Sequence, residues 1–202
     1  MINIKTLLAN CSDVKIATIG DICEIKTGRK NANAMVEDGE YPFFTCDAKP
    51  FKIDTYSFDG EAILISGNGS QVGHLNYYVG KFDAYQRTYV LMKFDKNINA
   101  KFLLYILKNS LKNYILDNCK SGSIPYITLP MLQNFSIPLP PLTTQLKIVE
   151  VLDKFTSLEK ELEKELEMRK KQYQYYRDKL LTFTEEERGS ERCDDWRCVC
   201  NK

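Results

Sequence analysis

Three carboxylates, Asp54, Asp59 and Glu61, lie close enough in the chain to share a divalent cation and activate water, the chemistry of a metal-dependent nuclease. Turn-forming aspartates explain the same residues more simply. The chain has one histidine, His74, so any Ser-His or Cys-His nucleophile would have to use it. No serine or cysteine elbow stands beside it, and a half-buried, hydrogen-bonded strand histidine is the simpler reading. Of the seven cysteines, Cys193, Cys198 and Cys200 cluster as C-x4-C-x-C, but there is no second pair at zinc spacing. Cys11, Cys23, Cys46 and Cys119 are scattered singly, as small hydrophobes are. Residues 67–73, Gly-Asn-Gly-Ser-Gln-Val-Gly, superficially match a dinucleotide fingerprint, yet the last glycine falls one residue late and a β-like run follows where a helix would be needed. Neither a G-x-x-x-x-G-K-[ST] phosphate loop nor an H-E-x-x-H metal helix occurs. Nothing here compels catalysis, a metal or a cofactor.

The framework around these residues is that of an ordinary packed protein. Its 202 residues are 44% hydrophobic and 27% charged, with ten glycines and seven prolines, which excludes a collagenous or disordered chain and suits one globular domain plus one extended element. No apolar run approaches the roughly 18 residues that cross a bilayer. The first residues lack a basic leader followed by a sustained apolar stretch, so no membrane partner and a cytoplasmic address are expected. Lys and Arg total 28 against 27 acids, and the parts on either side of Thr144 are each nearly balanced, so any contact with a polyanion must be local.

Short β-rich runs at 62–66 and 88–92 are bounded by Gly, Asn and Asp, and 72–79 reads as a bent strand. A helix is predicted from about Asn99, a good N-cap, to about 118, with Phe102, Leu103, Ile106, Leu107, Tyr114 and Ile115 on one broad face. A Gly-Ser loop at 120–123, an extended stretch at 124–128 and a brief helix near 130–133 follow. At 137–142, Ile-Pro-Leu-Pro-Pro-Leu forbids helix and central strand alike. Residues 1–142 are therefore expected to form an α+β domain built on a mixed β-sheet.

Between 143 and 183 there is neither Pro nor Gly, and strong helix formers dominate. One helix of about 40 residues would reach roughly 60 Å. A 4-3 repeat places Ile148, Phe155, Leu162, Arg169, Tyr176 and Phe183 at one seam position and Leu152, Glu159, Leu166, Tyr173 and Leu180 at the other. All but Arg169 and Glu159 are apolar, the pattern of a coiled-coil seam; the helix could pack back on its own domain, but at this length the domain is too small to cover it, so a partner helix is expected. The expected division is a domain at 1–142, a dimerisation and spacer helix at 143–184, and a tail at 185–202 that loses the heptad.

Three stretches in order resemble the specificity subunits of type I restriction-modification systems. They are Ile-Gly-Asp-Ile-Cys-Glu-Ile-Lys-Thr-Gly at 19–28 with Gly-Glu-Tyr-Pro-Phe at 39–43; the run 62–73 with Tyr77 and Tyr78; and Ile-Pro-Tyr-Ile at 124–127 continuing through the prolines to Gln145, Ile148, Val149 and Leu152. The resemblance covers about 14–183, and the last stretch is the most specific. The chain departs from the family in one place: Thr144 stands where Glu is frequent, and Thr, a better N-cap, would alter helix entry.

The resemblance implies one target-recognition domain and one long helix, half of the usual pair of each. Two copies would then join through Ile148, Leu152, Phe155, Leu162, Leu166, Tyr173, Tyr176, Leu180 and Phe183, so that the homodimer reads a bipartite site in double-stranded DNA. It further implies that separate methyltransferase (modification) and restriction subunits carry out catalysis and bind S-adenosylmethionine and ATP, while this chain turns over nothing. Three polar loops are then the expected DNA contacts. The first holds Lys26, Arg29, Lys30, Asn31 and Asn33; the second Ser66, Asn68, Ser70 and Gln71, joined by Gln86 and Arg87; the third Lys120, Ser121, Ser123 and Tyr126. Arg29 and Arg87 suit guanine, and Asn68, Gln71 and Gln86 suit adenine. A competing reading keeps the same heptads in a non-DNA-binding adaptor that dimerises through its coiled coil.

Overall fold

A computed structural model describes residues 14–118 and 125–182. In chain order the elements are β1 (Lys15–Thr18), α1 (Ile19–Ile22), β2 (Glu24–Thr27), a 3-10 turn (Ala32–Ala34), β3 (Tyr41–Phe44), β4 (Phe51–Ile53), β5 (Phe58–Ser66), β6 (Leu75–Ala84), β7 (Thr88–Met92), α2 (Ala100–Asn118), α3 (Leu129–Gln133), β8 (Ser136–Leu139) and α4 (Leu142–Leu181). The fold is α+β, a mixed sheet followed by one long helix, as the sequence predicts. The chain divides into two compact units, the first ending at Leu152 and the second starting at Asp153.

In the first unit the main sheet has the order β2-β7-β5-β6-β3-β4. Neighbours are antiparallel except β3 and β6, whose parallel pairing sets Phe43 beside Asp83 and Phe44 beside Ala84. Strand β5 is central and apolar on both faces, as a strand covered on both sides must be. Ile63 and Ile65 enter the larger core with Phe102, Leu103, Leu107, Leu111 and Ile115 of α2, while Ala62 and Leu64 enter a second cluster with Phe44, Phe82, Ala84 and Val90. In that cluster Phe82 stacks on Phe58 at 5.2 Å and meets Phe44 edge-on at 5.7 Å.

The bent strand expected at 72–79 begins only at Leu75. Val72 and His74 donate backbone hydrogen bonds to Gly69 and Gln71, and Ser66 and Gly73 close the loop by bonds to His74 and Ser66. Those local turns use the groups a ladder would need. His74, half-buried, is thus the last residue of a loop.

Helix α2 starts as the Asn99 side chain predicts: its Oδ1 accepts from the Phe102 amide at 3.0 Å. Less visible in the sequence is what holds that cap. Gln145, fully buried in the first turn of α4, accepts from the Asn99 amide at 2.9 Å and donates through Nε2 to the Asn97 and Pro140 carbonyls, both at 2.8 Å. One side chain therefore ties the entry of α2 to the proline turn that launches α4. Thr144 does not cap α4. The helix starts at Leu142, and the Thr144 and Gln145 amides both donate to the Pro141 carbonyl, which places Thr144 inside the first turn and buries it. Farther along, Val149 is buried and Ile148 packs against the main core.

The two ends of the unit are joined by the β1–β8 ribbon, with Ile16 opposite Pro138 and Ala17 opposite Ile137. Just beyond it the Ile19 amide donates to Phe135. A capping box follows: Asp21 accepts from the Thr18 amide at 3.1 Å and from its hydroxyl at 2.6 Å, and these bonds hold the Asp21 carboxyl below its ordinary range.

Replacing Gln145 by Leu leaves the Asn99 amide and two carbonyls without partners in a buried site. We expect a loss of about 2–4 kcal/mol of stability, read as a lower midpoint in urea unfolding followed by circular dichroism. Burial pushes the Cys23 thiol up to about 12 from its ordinary 9.0. The unfolded chain therefore gives up that proton first as pH rises above about 9, and folding stability falls by up to about 1.4 kcal/mol per pH unit until the native pKa is reached. Cys23→Ala removes this component, so comparing the two proteins' unfolding between pH 8 and 11 isolates it.

Candidate nucleic-acid interface

Segments far apart in sequence are joined at one surface of the first unit by backbone hydrogen bonds. The turn 85–88, closed by the Thr88 amide on the Tyr85 carbonyl, is the hub. On one side Lys30 bridges Tyr85, and the Gln86 amide donates to the Lys30 carbonyl at 3.0 Å, which attaches the loop 28–33. The Tyr85 amide donates to Phe44, which brings in the segment 44–47. On the other side the Gly67 amide donates to the Arg87 carbonyl at 2.9 Å, and the Gly67 carbonyl accepts from Ile127 at 2.8 Å, attaching both the loop 67–74 and the segment 125–127. Tyr89 reinforces the last link through its hydroxyl, 3.0 Å from the Ile127 carbonyl.

Two glycines make this stitching possible. A Cβ on Gly28 would fall 1.8 Å from the Ala84 carbonyl oxygen, and one on Gly67 would fall 2.5 Å from that of Arg87. Both obstacles are backbone, so neither position has room for a side chain.

The first two sequence-predicted loops thus meet, and of the third only Tyr126, beside Ile127, lies within the described residues. Lys26, Arg29, Asn31, Asn33, Ser70, Gln71, Gln86, Arg87 and Tyr126 are exposed, and Lys30 and Asn68 are half-buried. Ser66 differs: it is 2% exposed, the last residue of β5 and paired with buried Thr88, so burial in the sheet keeps it from a surface contact. Lys120, Ser121 and Ser123 lie outside the described residues. The Lys26 ammonium is 2.8 Å from Glu24, which also meets Lys93 at 2.9 Å; these two cations, Lys26 foremost, hold the Glu24 carboxyl below its ordinary range. Beside them Lys26, Thr27, Arg29, Ser57 and Phe58 line an open groove of about 460 Å³.

One contributor escaped the sequence reading. Cys46 donates to Asn68 Oδ1 at 3.2 Å and lies 3.5 Å from the Arg87 carbonyl, so the segment after β3 joins the cluster. Its signal was a Thr-x-Asp turn: the Asp47 amide donates to Thr45 Oγ1 at 3.2 Å, and that hydroxyl donates to Asp47 Oδ2 at 2.7 Å.

The acidic triplet is not a metal centre. Glu61 accepts from the Tyr77 hydroxyl at 2.6 Å, Asp59 pairs across the ladder with Lys81, and among the described residues no group of three or more His, Cys, Asp or Glu could hold a metal ion. Nor is any helix among them long and apolar enough to cross a membrane.

In the second unit every residue from 157 to 182 is exposed. Of the predicted seam, Phe155, Leu162, Leu166, Tyr173, Tyr176 and Leu180 are each at least half exposed. Ile148 and Leu152, in the first unit, are half-buried, and Phe183 lies outside the described residues.

The chain thus joins a sheet-borne cluster of polar loops to one long helix, and comparison with known proteins gives its family. Residues 11–168 match the type I restriction modification DNA specificity domain, and the chain belongs to that family. It is 35% identical over 189 residues to the type I restriction enzyme EcoDI specificity subunit of Escherichia coli, covering 94% of this chain and 41% of that protein. It is 33% identical to the type I restriction enzyme MpnII specificity subunit of Mycoplasma pneumoniae, covering 84% of this chain and 53% of that protein. The chain therefore spans about half the length of these relatives. The crystal structure of the S subunit of a type I restriction-modification system from M. genitalium superposes over 82% of this chain and 46% of its own, with a TM-score of 0.65 at 23% identity, a likeness of fold.

Gly28→Ala forces the loop 28–33 away from the hub. We expect a loss of about 1–3 kcal/mol, measured as a lowered thermal midpoint.

Proposed function

We propose that this chain is a DNA-specificity subunit: its first unit reads one half of a bipartite site in double-stranded DNA, and its helix pairs with a second copy to supply the other half. The observation that carries this reading is the backbone-stitched convergence of the loops 28–33, 67–74 and 85–88. It gathers Arg29, Lys30 and Arg87 with Asn31, Asn33, Asn68, Gln71 and Gln86 in a protein with almost no net charge. Cations of this kind position a duplex by its phosphates, while amides and guanidinium groups on rigidly held loops can match base edges. Lys26, Ser70 and Tyr126 extend the contact surface, and Lys120, Ser121 and Ser123 complete the proposed set of contacts.

The exposed seam from Phe155 to Leu180 supports pairing through the helix, with Ile148, Leu152 and Phe183 at its ends. In this role the chain is non-catalytic and works in the cytoplasm. Methyltransferase and restriction subunits, positioned by it, bind S-adenosylmethionine and ATP and perform the chemistry. The proposed domains are recognition at 1–142, pairing and spacing at 143–184, and a tail at 185–202.

Binding to duplex DNA containing the site should weaken steeply with salt, with log K falling by about 0.9 per phosphate contact for each unit of log salt. The double variant Arg29→Ala/Arg87→Ala should lower affinity for the preferred sequence by about 1–3 kcal/mol per lost base contact and flatten discrimination, measured by fluorescence anisotropy on a panel of duplexes. An adaptor without a DNA role would show no affinity to lose.

A further inference from the structure

The seam of the second unit carries two charges, Glu159 and Arg169, among apolar positions. Both sit on the exposed part of α4, with Phe155, Leu162, Leu166 and Tyr173 flanking them at 55–67% exposure. A charge in a seam is costly unless the facing helix answers it, so it restricts which alignments can form. We infer that Glu159 and Arg169 fix the orientation and register of self-pairing, each answering the other across a two-fold axis beside Lys164. This rests on the helix pairing proposed above and names its partner surface as the same segment of a second copy.

The pairing follows from spacing alone. In an antiparallel arrangement centred there, Leu162 faces the partner's Leu166, Phe155 faces the partner's Tyr173, and Leu152 faces the partner's Tyr176. Glu159 meets the partner's Arg169, and by symmetry Arg169 meets the partner's Glu159, so both charges are matched and every other layer is apolar. Sliding one helix by a heptad sets Arg169 against the partner's Leu166 or Leu152, and Glu159 against the partner's Tyr176 or Leu162, leaving charges buried without partners. Parallel pairing in register would set Glu159 on Glu159 and Arg169 on Arg169. Of these alignments only one leaves no charge unanswered, and a self-complementary surface of this kind is what a two-fold interface requires.

Among the described residues Arg169 meets weak competitors. It lies 3.5 Å from Glu165, one turn away, and 3.5 Å from Gln172, both contacts exposed and at the outer limit of hydrogen-bond length. Such a contact exchanges readily for a partner carboxylate in a drier seam.

The test is a charge swap in the full chain, followed by sedimentation equilibrium at low salt, with circular dichroism to confirm that helix content is kept. Glu159→Arg alone and Arg169→Glu alone should each weaken self-association about tenfold or more, because both facing pairs become like-charged. An equimolar mixture of the two variants should recover wild-type strength as a heterodimer, one copy carrying two cations and the other two anions, and the double variant E159R/R169E should recover it alone. If the single variants associate as tightly as wild type, or if the mixture fails to recover, the register is wrong while helix pairing stands. A monomeric wild-type chain at micromolar concentration would instead remove the pairing itself, and this inference with it.

Discussion

A buried amide holds this fold together at its busiest crossing. Gln145 belongs to α4, yet its three hydrogen bonds end on Asn97, Asn99 and Pro140, so the start of α2, the proline turn and the first turn of α4 are fixed relative to one another. Each group it satisfies would otherwise be an orphan at a helix terminus or a turn, where backbone donors and acceptors lack intrahelical partners. Because α2 presents Phe102, Leu103, Leu107 and Leu111 to the sheet, the same amide also registers the main helix against β5 and β7. Apolar contacts supply most of the cohesion; the amide decides the geometry in which that cohesion is realised.

A rigid sheet held in this way gives its loops a fixed place to meet. The loops 67–74 and 85–88 close on backbone bonds of their own, and 28–33 is tied to the second of them. They are held against one another through the Lys30 and Arg87 carbonyls, while the Gly67 carbonyl takes in the segment 125–127 through the Ile127 amide. The side chains of these residues are thereby left available for a ligand while their backbones do the structural work. In a chain of net charge +1, a ligand as acidic as DNA can be held only by such a local gathering of cations.

Local chemistry was legible in the sequence, and long-range pairing was not. The cap at Asn99, the prolines and the unbroken run of helix formers each specify their own structure within a few residues, and α2 and α4 appear where they predict. The stretch 72–79 reads as a bent strand interrupted by Gly73 and polar residues, whereas 72–74 belong to a loop closed by bonds of its own backbone. The meeting of three loops follows from strand order, which no window of sequence contains. Ser66 ends the β-rich run 62–66 and opens a polar loop, and only its pairing with Thr88 in the β5–β7 ladder decides that it is buried. Cys46 looked like a stray small hydrophobe, and only the fold sets it against Asn68.

The long helix shows most clearly why an apolar stripe does not name its own cover. Gln145, Ile148 and Leu152 occupy the same 4-3 positions as Phe155, Leu162 and Leu166, and nothing in their spacing separates the two groups. Yet the former are buried or half-buried within the first unit while the latter stand exposed in the second. What distinguishes them is the chemistry between the apolar layers. The amide of Gln145 is matched to carbonyls and an amide of its own domain, whereas Glu159 and Arg169, ten residues or about 15 Å apart, are too distant to meet along one straight helix and would be answered only across the proposed pairing. A polar group matched by backbone nearby marks the part of an apolar stripe that its own domain covers, and Gln145 marks that part here.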